Sequence, residues 1–275
     1  MKLKTFKIRS SATSQIMGNL TNITDKQLIQ LNELQAKDKR TENQQITLNE
    51  LILKRDTPSD LSQGAKTYCD KWIKEQLYNR KKSFASKYTD KGLIMEDNSL
   101  DFIAEQLNFG MIIKNELFFC DEYKQGTPDA ILNDMIIDVK NSWDEQTFPL
   151  FSRDIPNKDY YWQAQSYMSL VDRSDYKLIY VLSDTPEHLI RKEAYYFAKN
   201  NGYDDLTEDI YDMFVKKMTY SDVVDSLKMK VFDIKRNNND IALISQQVMK
   251  CREYIKDEMN YLINQSLINR WKITQ

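Results

Sequence analysis

A single histidine, His188, stands among the 275 residues of the chain. That excludes a multi-histidine metal site and most histidine-dependent triads. Cysteine is scarce too. Cys69, Cys120 and Cys251 are scattered and odd in number, which fits neither a disulfide framework nor a zinc site and points to a reducing compartment. No apolar run approaches the length of a membrane span. The basic N-terminus lacks the apolar segment of a secretion signal, so a soluble, cytoplasmic protein with no membrane partner is the expectation. The net charge of -2 gives no global basic field, and a nucleic-acid partner would need a local basic groove. There is no internal repeat and no low-complexity tract.

What is present supports a sizeable core: 41% of residues are hydrophobic, and 16 Tyr and 11 Phe stand among them. The length suits one large domain, or one domain with appendages. Within it, the stretch Gly126–Ser142 reads as two short strands joined by a tight turn at Asn133-Asp134. Side chains alternate along the second strand, so Ile137 and Val139 point one way and Asp138 and Lys140 the other. A carboxylate and an ammonium beside an apolar run are costly unless something uses them. Asp129, across the hairpin, can reach the same place. Two carboxylates and a lysine at one spot make a site for a hard cation. The spacing alone fits equally a hairpin carrying a surface Asp–Lys pair.

The rest of the chain frames that hairpin. Arg9 precedes a hydroxyl cluster from Ser10 to Ser14, a set able to bind a phosphate or simply to form a basic arm with a helix cap. Thr24 caps an expected helix through Leu28, Leu31 and Leu34; Thr41–Gln45 reads as a loop; a second helix is expected from Thr47 or Asn49. A third spans 59–83 and runs into Arg80-Lys81-Lys82, Phe84, Lys87, Tyr88 and Lys91, which is either a phosphate-tracking run with stacking rings or a solvated helix end. A helix over Glu96–Leu107 places Glu96 on one face with Leu100 and Ile103, as a helix-start charge or a buried functional acid. Glu116–Tyr123 reads as a strand. A helix from about Lys158 carries Gln163 and Tyr167 on one face, Tyr176–Leu182 reads as a buried strand, and Lys228–Ile234 alternates like another. The helix from Ile241 is read as cover for the sheet, and His188 as a surface residue. Helix, three strands, helix, strand make an α/β (α+β) fold with a mixed central sheet flanked by helices.

Taken together, Arg9–Gly18, Lys91-Gly92 with Glu96, Thr127-Pro128-Asp129, Asp138-Val139-Lys140 with Ser142, and Gln163-x-x-x-Tyr167 resemble the lambda-exonuclease-type (YqaJ-like) viral recombination nucleases of the PD-(D/E)XK superfamily. The likeness is best over 86–184, and Asp138 stands where the family often has Glu. The resemblance implies a restriction-endonuclease-like single domain over 1–275, with an N-terminal arm (1–20), a helical insert (21–85), a catalytic core (86–185) and a mainly helical C-terminal region (186–275). It implies that Asp129, Asp138 and the Val139 carbonyl hold Mg2+ or Mn2+, with Glu96 completing the site. Lys140 would orient and help deprotonate the attacking water. Gln163 and Tyr167 would line the site, and Arg9, Ser14 and Ser142 would contact DNA. The implied activity is metal-dependent resection of linear double-stranded DNA ends, 5′ to 3′, leaving 3′ overhangs for a single-strand annealing protein, with a ring-shaped homo-oligomer as the possible assembly. An endonuclease or RecB-like module on the same core, and a catalytically silent DNA-binding scaffold, are the alternatives.

Overall fold

The structure is a computed structural model that describes residues 3–57, 59–81 and 86–265. Its strands are β1 (Ile8–Arg9), β2 (Phe119–Cys120), β3 (Lys124–Gly126), β4 (Ala130–Ile131), β5 (Met135–Asn141), β6 (Asp175–Val181) and β7 (Met229–Lys235). Its α-helices are α1 (Asp25–Gln35), α2 (Glu42–Asp56), α3 (Gln63–Tyr78), α4 (Lys87–Gln106), α5 (Asp159–Leu170), α6 (Glu187–Asn200), α7 (Glu208–Met218) and α8 (Asn238–Asn264). The chain divides into two compact units. One takes residues up to Ile8, 12–80 and the chain from Asn239 on; the other takes Arg9–Ser11 and 81–238. No helix among the described residues is long and apolar enough to cross a membrane.

The second unit is built on a four-stranded sheet in the order β4-β5-β6-β7. The expected hairpin is there: β4 pairs antiparallel with β5, and the Leu132 N–H donates to the Met135 carbonyl across the turn. β5 pairs parallel with β6, and β6 antiparallel with β7, so the sheet is mixed as expected. Each face of this sheet has its own core. Ile137 and Val139 of β5, with Ile179 and Val181 of β6, pack against Leu100, Ile103 and Ala104 of α4. Ile136, Tyr176, Leu178, Phe232 and Ile234 pack on the other face with Ala164, Tyr167 and Met168 of α5. Because β5 is interior and covered on both faces, its run Ile136–Val139 is buried throughout, Asp138 included. The alternation in the sequence therefore separates two packed faces rather than core from water.

Several local expectations shift. α4 begins at Lys87, nine residues before Glu96, because Ser86 and Thr89 form a reciprocal capping box that satisfies the first turn. Gly92 is carried inside the helix. The helix ends where expected, with Asn108 at φ 53° and the Phe109 N–H donating to the Ala104 carbonyl. The strand expected over Glu116–Tyr123 shrinks to β2, because Asp121 Oδ1 accepts the N–H groups of Tyr123 (2.7 Å) and Lys124 (2.6 Å) and turns the chain into β3. β1, β3 and β2 form a small second sheet in that order.

In the first unit, Thr24 caps α1 as expected. Thr41–Gln45, expected as a loop, is instead the start of α2: Thr41 and Gln44 make the same reciprocal box. Leu31, Leu34, Leu48 and Leu51 form the core of this helical hairpin. Ser62 caps α3. The apolar face of α8 is buried as its spacing requires, through Ile244, Val248, Cys251, Ile255 and Met259. Its hydrogen bonds go to Ser59, Asp70 and Phe6 of its own unit.

Candidate active site

Asp138 and Lys140 leave the same face of β5, the face covered by α5. Asp138 is only 1% exposed. Its Oδ1 accepts a hydrogen bond from Gln163 Nε2 at 2.8 Å, reached from the second turn of α5. Its Oδ2 lies 2.5 Å from the Lys140 ammonium and otherwise has no hydrogen-bond donor among the described residues. Asp129, immediately before β4, turns back across the hairpin, and its Oδ2 accepts the Val139 N–H at 2.8 Å. The two acids and the lysine thus meet at one spot, held by three different hydrogen-bonding arrangements.

Burial, reinforced by the Asp138 charge, pushes the Asp129 carboxyl up to about 7, against the pull of Lys140 and the Val139 N–H. Lys140 behaves in the opposite sense. Burial alone would discharge it, but the carboxylates of Asp138 and Asp129 outweigh that and hold it above its ordinary value. Its ammonium also sits 4.9 Å from the centre of the Tyr160 ring, a cation–π contact. Such a site holds more negative charge than its surroundings can stabilise. The Asp138 carboxylate answers this charge with the Lys140 ammonium at Oδ2 and the Gln163 amide at Oδ1.

The second residue of the helical pair, Tyr167, donates its hydroxyl to the Thr127 carbonyl at 2.9 Å. It also lies hard against Gly126, where an added Cβ would come within 2.9 Å of the ring and 3.2 Å of the hydroxyl oxygen. Gln163 and Tyr167 therefore do different things: one fixes Asp138, the other fixes the backbone leading to Asp129. Ser166, between them in sequence, meets the Ser10 hydroxyl at 2.9 Å with both side chains fully buried, which anchors the Arg9–Ser11 segment to α5. Arg9 is exposed. Ser14 belongs to the first unit. Ser142 is buried, with a hydroxyl that has no partner among the described residues.

Glu96 lies on α4, which covers the opposite face of the sheet. Its charge is felt at Asp129, but its carboxylate pairs with Lys114 at 3.2 Å. Among the described residues no group of three His, Cys, Asp or Glu side chains is poised around a common point for a metal. The donor set that fits a hard cation is the pair Asp129 and Asp138, one carboxylate half-buried and the other buried, whose excess charge a cation would neutralise. Of the basic run at 80–91, Lys82 to Phe84 fall outside the described residues. Lys87 pairs with Glu193 at 2.6 Å and lies over the Trp143 ring, and Lys91 is fully buried, so neither tracks a phosphate backbone as it stands.

Sequence reasoning passed over Tyr160, Tyr176 and Lys114. Tyr160 precedes Gln163 by three positions, the helical spacing that puts them on one face. Tyr176 is reachable only through the register: it sits opposite Ile136 on β6, fully buried, and burial with the Asp138 charge holds its hydroxyl well above the usual phenol range. Lys114 carries no spacing signal, since it meets Glu96 through an irregular segment.

The fold is that of known exonucleases. A phage-related exonuclease from Haemophilus somnus 129PT superposes with a TM-score of 0.64 at 20% identity, covering 94% of this chain and 97% of that one. An alkaline exonuclease from Laribacter hongkongensis, LHK-Exo, gives a TM-score of 0.54 at 12% identity, covering 95% and 93%. The same enzyme in complex with dAMP gives 0.52 at 12% identity, again covering 95% and 93%. No protein-family model matches the chain, and no curated protein matches it in sequence.

Proposed function

We propose that this protein is a metal-dependent exonuclease that resects linear double-stranded DNA from 5′ ends and leaves 3′ overhangs suited to strand annealing. The observation that carries the proposal is the convergence of Asp129, Asp138 and Lys140 at one spot beside β5, with Asp138 almost fully buried and its Oδ2 against the Lys140 ammonium. A likeness to exonuclease structures supports the same reading.

Phosphodiester hydrolysis needs a nucleophile at neutral pH and stabilisation of added negative charge on the phosphate. Asp129 and Asp138, with the Val139 carbonyl as a further oxygen, would hold a divalent cation, which would supply both by lowering the pKa of a bound water. The chain's own residues do the rest. Gln163 fixes the Asp138 carboxylate through Oδ1 and leaves Oδ2 facing the site. Lys140, held charged by the two acids, would steady the attacked phosphate and orient water. The Tyr160 ring under its ammonium limits where Lys140 can swing. Glu96 would join by leaving Lys114. Arg9, exposed on a segment pinned to α5 through Ser10, would meet a terminal phosphate.

The test is digestion of 5′-phosphorylated linear, 5′-hydroxyl linear and closed circular duplex with Mg2+ or Mn2+, with Lys140→Ala alongside. The expected result is release of nucleotides from the phosphorylated linear substrate only, with kcat lowered on the order of 10²–10³-fold in the variant, as for loss of one group that stabilises developing charge. Equal attack on circles, or full activity in Lys140→Ala, would overturn the proposal.

A further inference from the structure

A groove of about 600 Å3 runs beside α5 and is lined by Arg153, Lys158, Tyr161, Trp162 and Phe232 together with the acids Asp154 and Asp233. It is set apart from the catalytic acids but physically joined to them by a line of rings. Tyr160, under the Lys140 ammonium, packs edge-on to Tyr180 at 6.3 Å, and Tyr180 packs edge-on to Phe232 at 5.9 Å, in the groove wall. Tyr161 and Trp162 follow Tyr160 directly and pack edge-on to one another at 5.5 Å. Both are half-exposed, so each presents part of a ring to solvent.

The charges are arranged unevenly. Asp233 is already paired with Lys177 at 2.6 Å. Arg153 and Lys158 are exposed and form no ion pair among the described residues. Against them stands the single acid Asp154. Two uncommitted cations beside partly open aromatic rings, in a groove between α5 and β7, are the pattern that holds a sugar–phosphate backbone while bases stack. A double helix is too wide and too stiff to lay its bases against Trp162, whereas a single strand can.

We infer that this groove holds single-stranded DNA, namely the strand left without a partner once its complement has been removed at the catalytic centre. The inference rests on the nuclease reading for the source of that strand, but the binding itself does not depend on cleavage.

The experiment uses the full chain in EDTA, so that no cutting occurs, and titrates a labelled oligo-dT of about ten nucleotides at rising KCl. Tryptophan emission is followed in parallel, and the wild type is compared with Arg153→Ser/Lys158→Ser and with Trp162→Phe. Both cations are on the surface, so the double variant should fold, which its circular dichroism checks. The expected result is quenching by the oligonucleotide that is mostly absent in Trp162→Phe. In the double variant, affinity should fall about tenfold or more, with a salt dependence shallower by about 1.4 in log–log slope, as for two lost single-strand phosphate contacts. Equal loss of blunt-duplex binding in the double variant would overturn the inference, because the cations would then act as a general field. So would quenching by dAMP alone at comparable concentration, which would make the groove a mononucleotide site, or oligonucleotide binding indifferent to all three residues. If the wild type binds as expected but cuts no duplex with metal restored, the nuclease reading fails and the single-strand site stands.

Discussion

Replacing Lys91 by methionine tests how the end of β5 is held. Lys91 is fully buried on α4 and donates to the Trp143 carbonyl at 3.0 Å, two residues beyond β5. The rings of Trp143 and Tyr220 each lie 5.9 Å from its ammonium. No carboxylate is paired with it among the described residues; Asp184 and Asp144 act only at longer range, and burial pulls its pKa from 10.5 down to about 8. Below pH 8 the ammonium is charged in both folded and unfolded chains, and the folded state carries the full penalty of burying it. Between pH 8 and 10.5 the unfolded chain still binds a proton that the folded chain has released, so this penalty shrinks and stability rises with pH. A shift of that size amounts to about 3 kcal/mol. Methionine keeps the length and removes the charge, but strands the Trp143 carbonyl, which costs about 1–3 kcal/mol at any pH. Near pH 7 the variant should therefore be roughly as stable as the wild type or more so, and near pH 10 it should be less stable. Urea unfolding of both proteins across that range gives the difference directly. A difference that does not change between those two ends would refute the argument, since the charge of Lys91 would then be unaffected by its burial.

Two further outcomes follow from the same geometry. A divalent cation at about a hundred times its Kd should add about 2.7 kcal/mol to stability, raising the midpoint of thermal unfolding by several degrees. Asp129→Asn should remove most of that rise, and a full rise in the variant would take Asp129 out of the ligand set. Gly126→Ala should destabilise the chain by about 1–3 kcal/mol in urea, because the added Cβ meets the Tyr167 ring at 2.9 Å and Ser10 at 3.3 Å while the Tyr167 hydroxyl is tied to Thr127. An unchanged urea midpoint would show that the ring yields freely.

The parts of this molecule that could be read from sequence are those whose signals are local. The hairpin at Asn133-Asp134, the strand parity that groups Asp138 with Lys140, and the helical spacing of Gln163 and Tyr167 each follow from a repeat of two or of four residues. What could not be read depends on which element lies beside which. Nothing in the spacing says that Gln163 reaches Asp138 while Tyr167 reaches Thr127; that needs the height of α5 over β5. The partner of Glu96 is Lys114, from an irregular segment joined to β4 by a single bridge to Ala130. The starts of α2 and α4 were local signals that were passed over: Thr41-x-x-Gln44 and Ser86-x-x-Thr89 are capping boxes, and polar residues in a polar stretch look like loop unless their reciprocal bonds are considered.

The length of the second acid is consistent with the frame around it. Asp138 reaches Gln163 through one oxygen and Lys140 through the other, and Lys140 is in turn confined by Tyr160. A glutamate at this position would carry the carboxylate one methylene further from β5, past the point where Gln163 meets Oδ1 and into the space Lys140 occupies. The shorter acid therefore belongs with a lysine drawn close to the sheet and a glutamine that comes down from α5 to meet it. Its counterpart is Asp129, whose own reach is set by the Val139 N–H. Both carboxylates are thereby kept close to the backbone of β5.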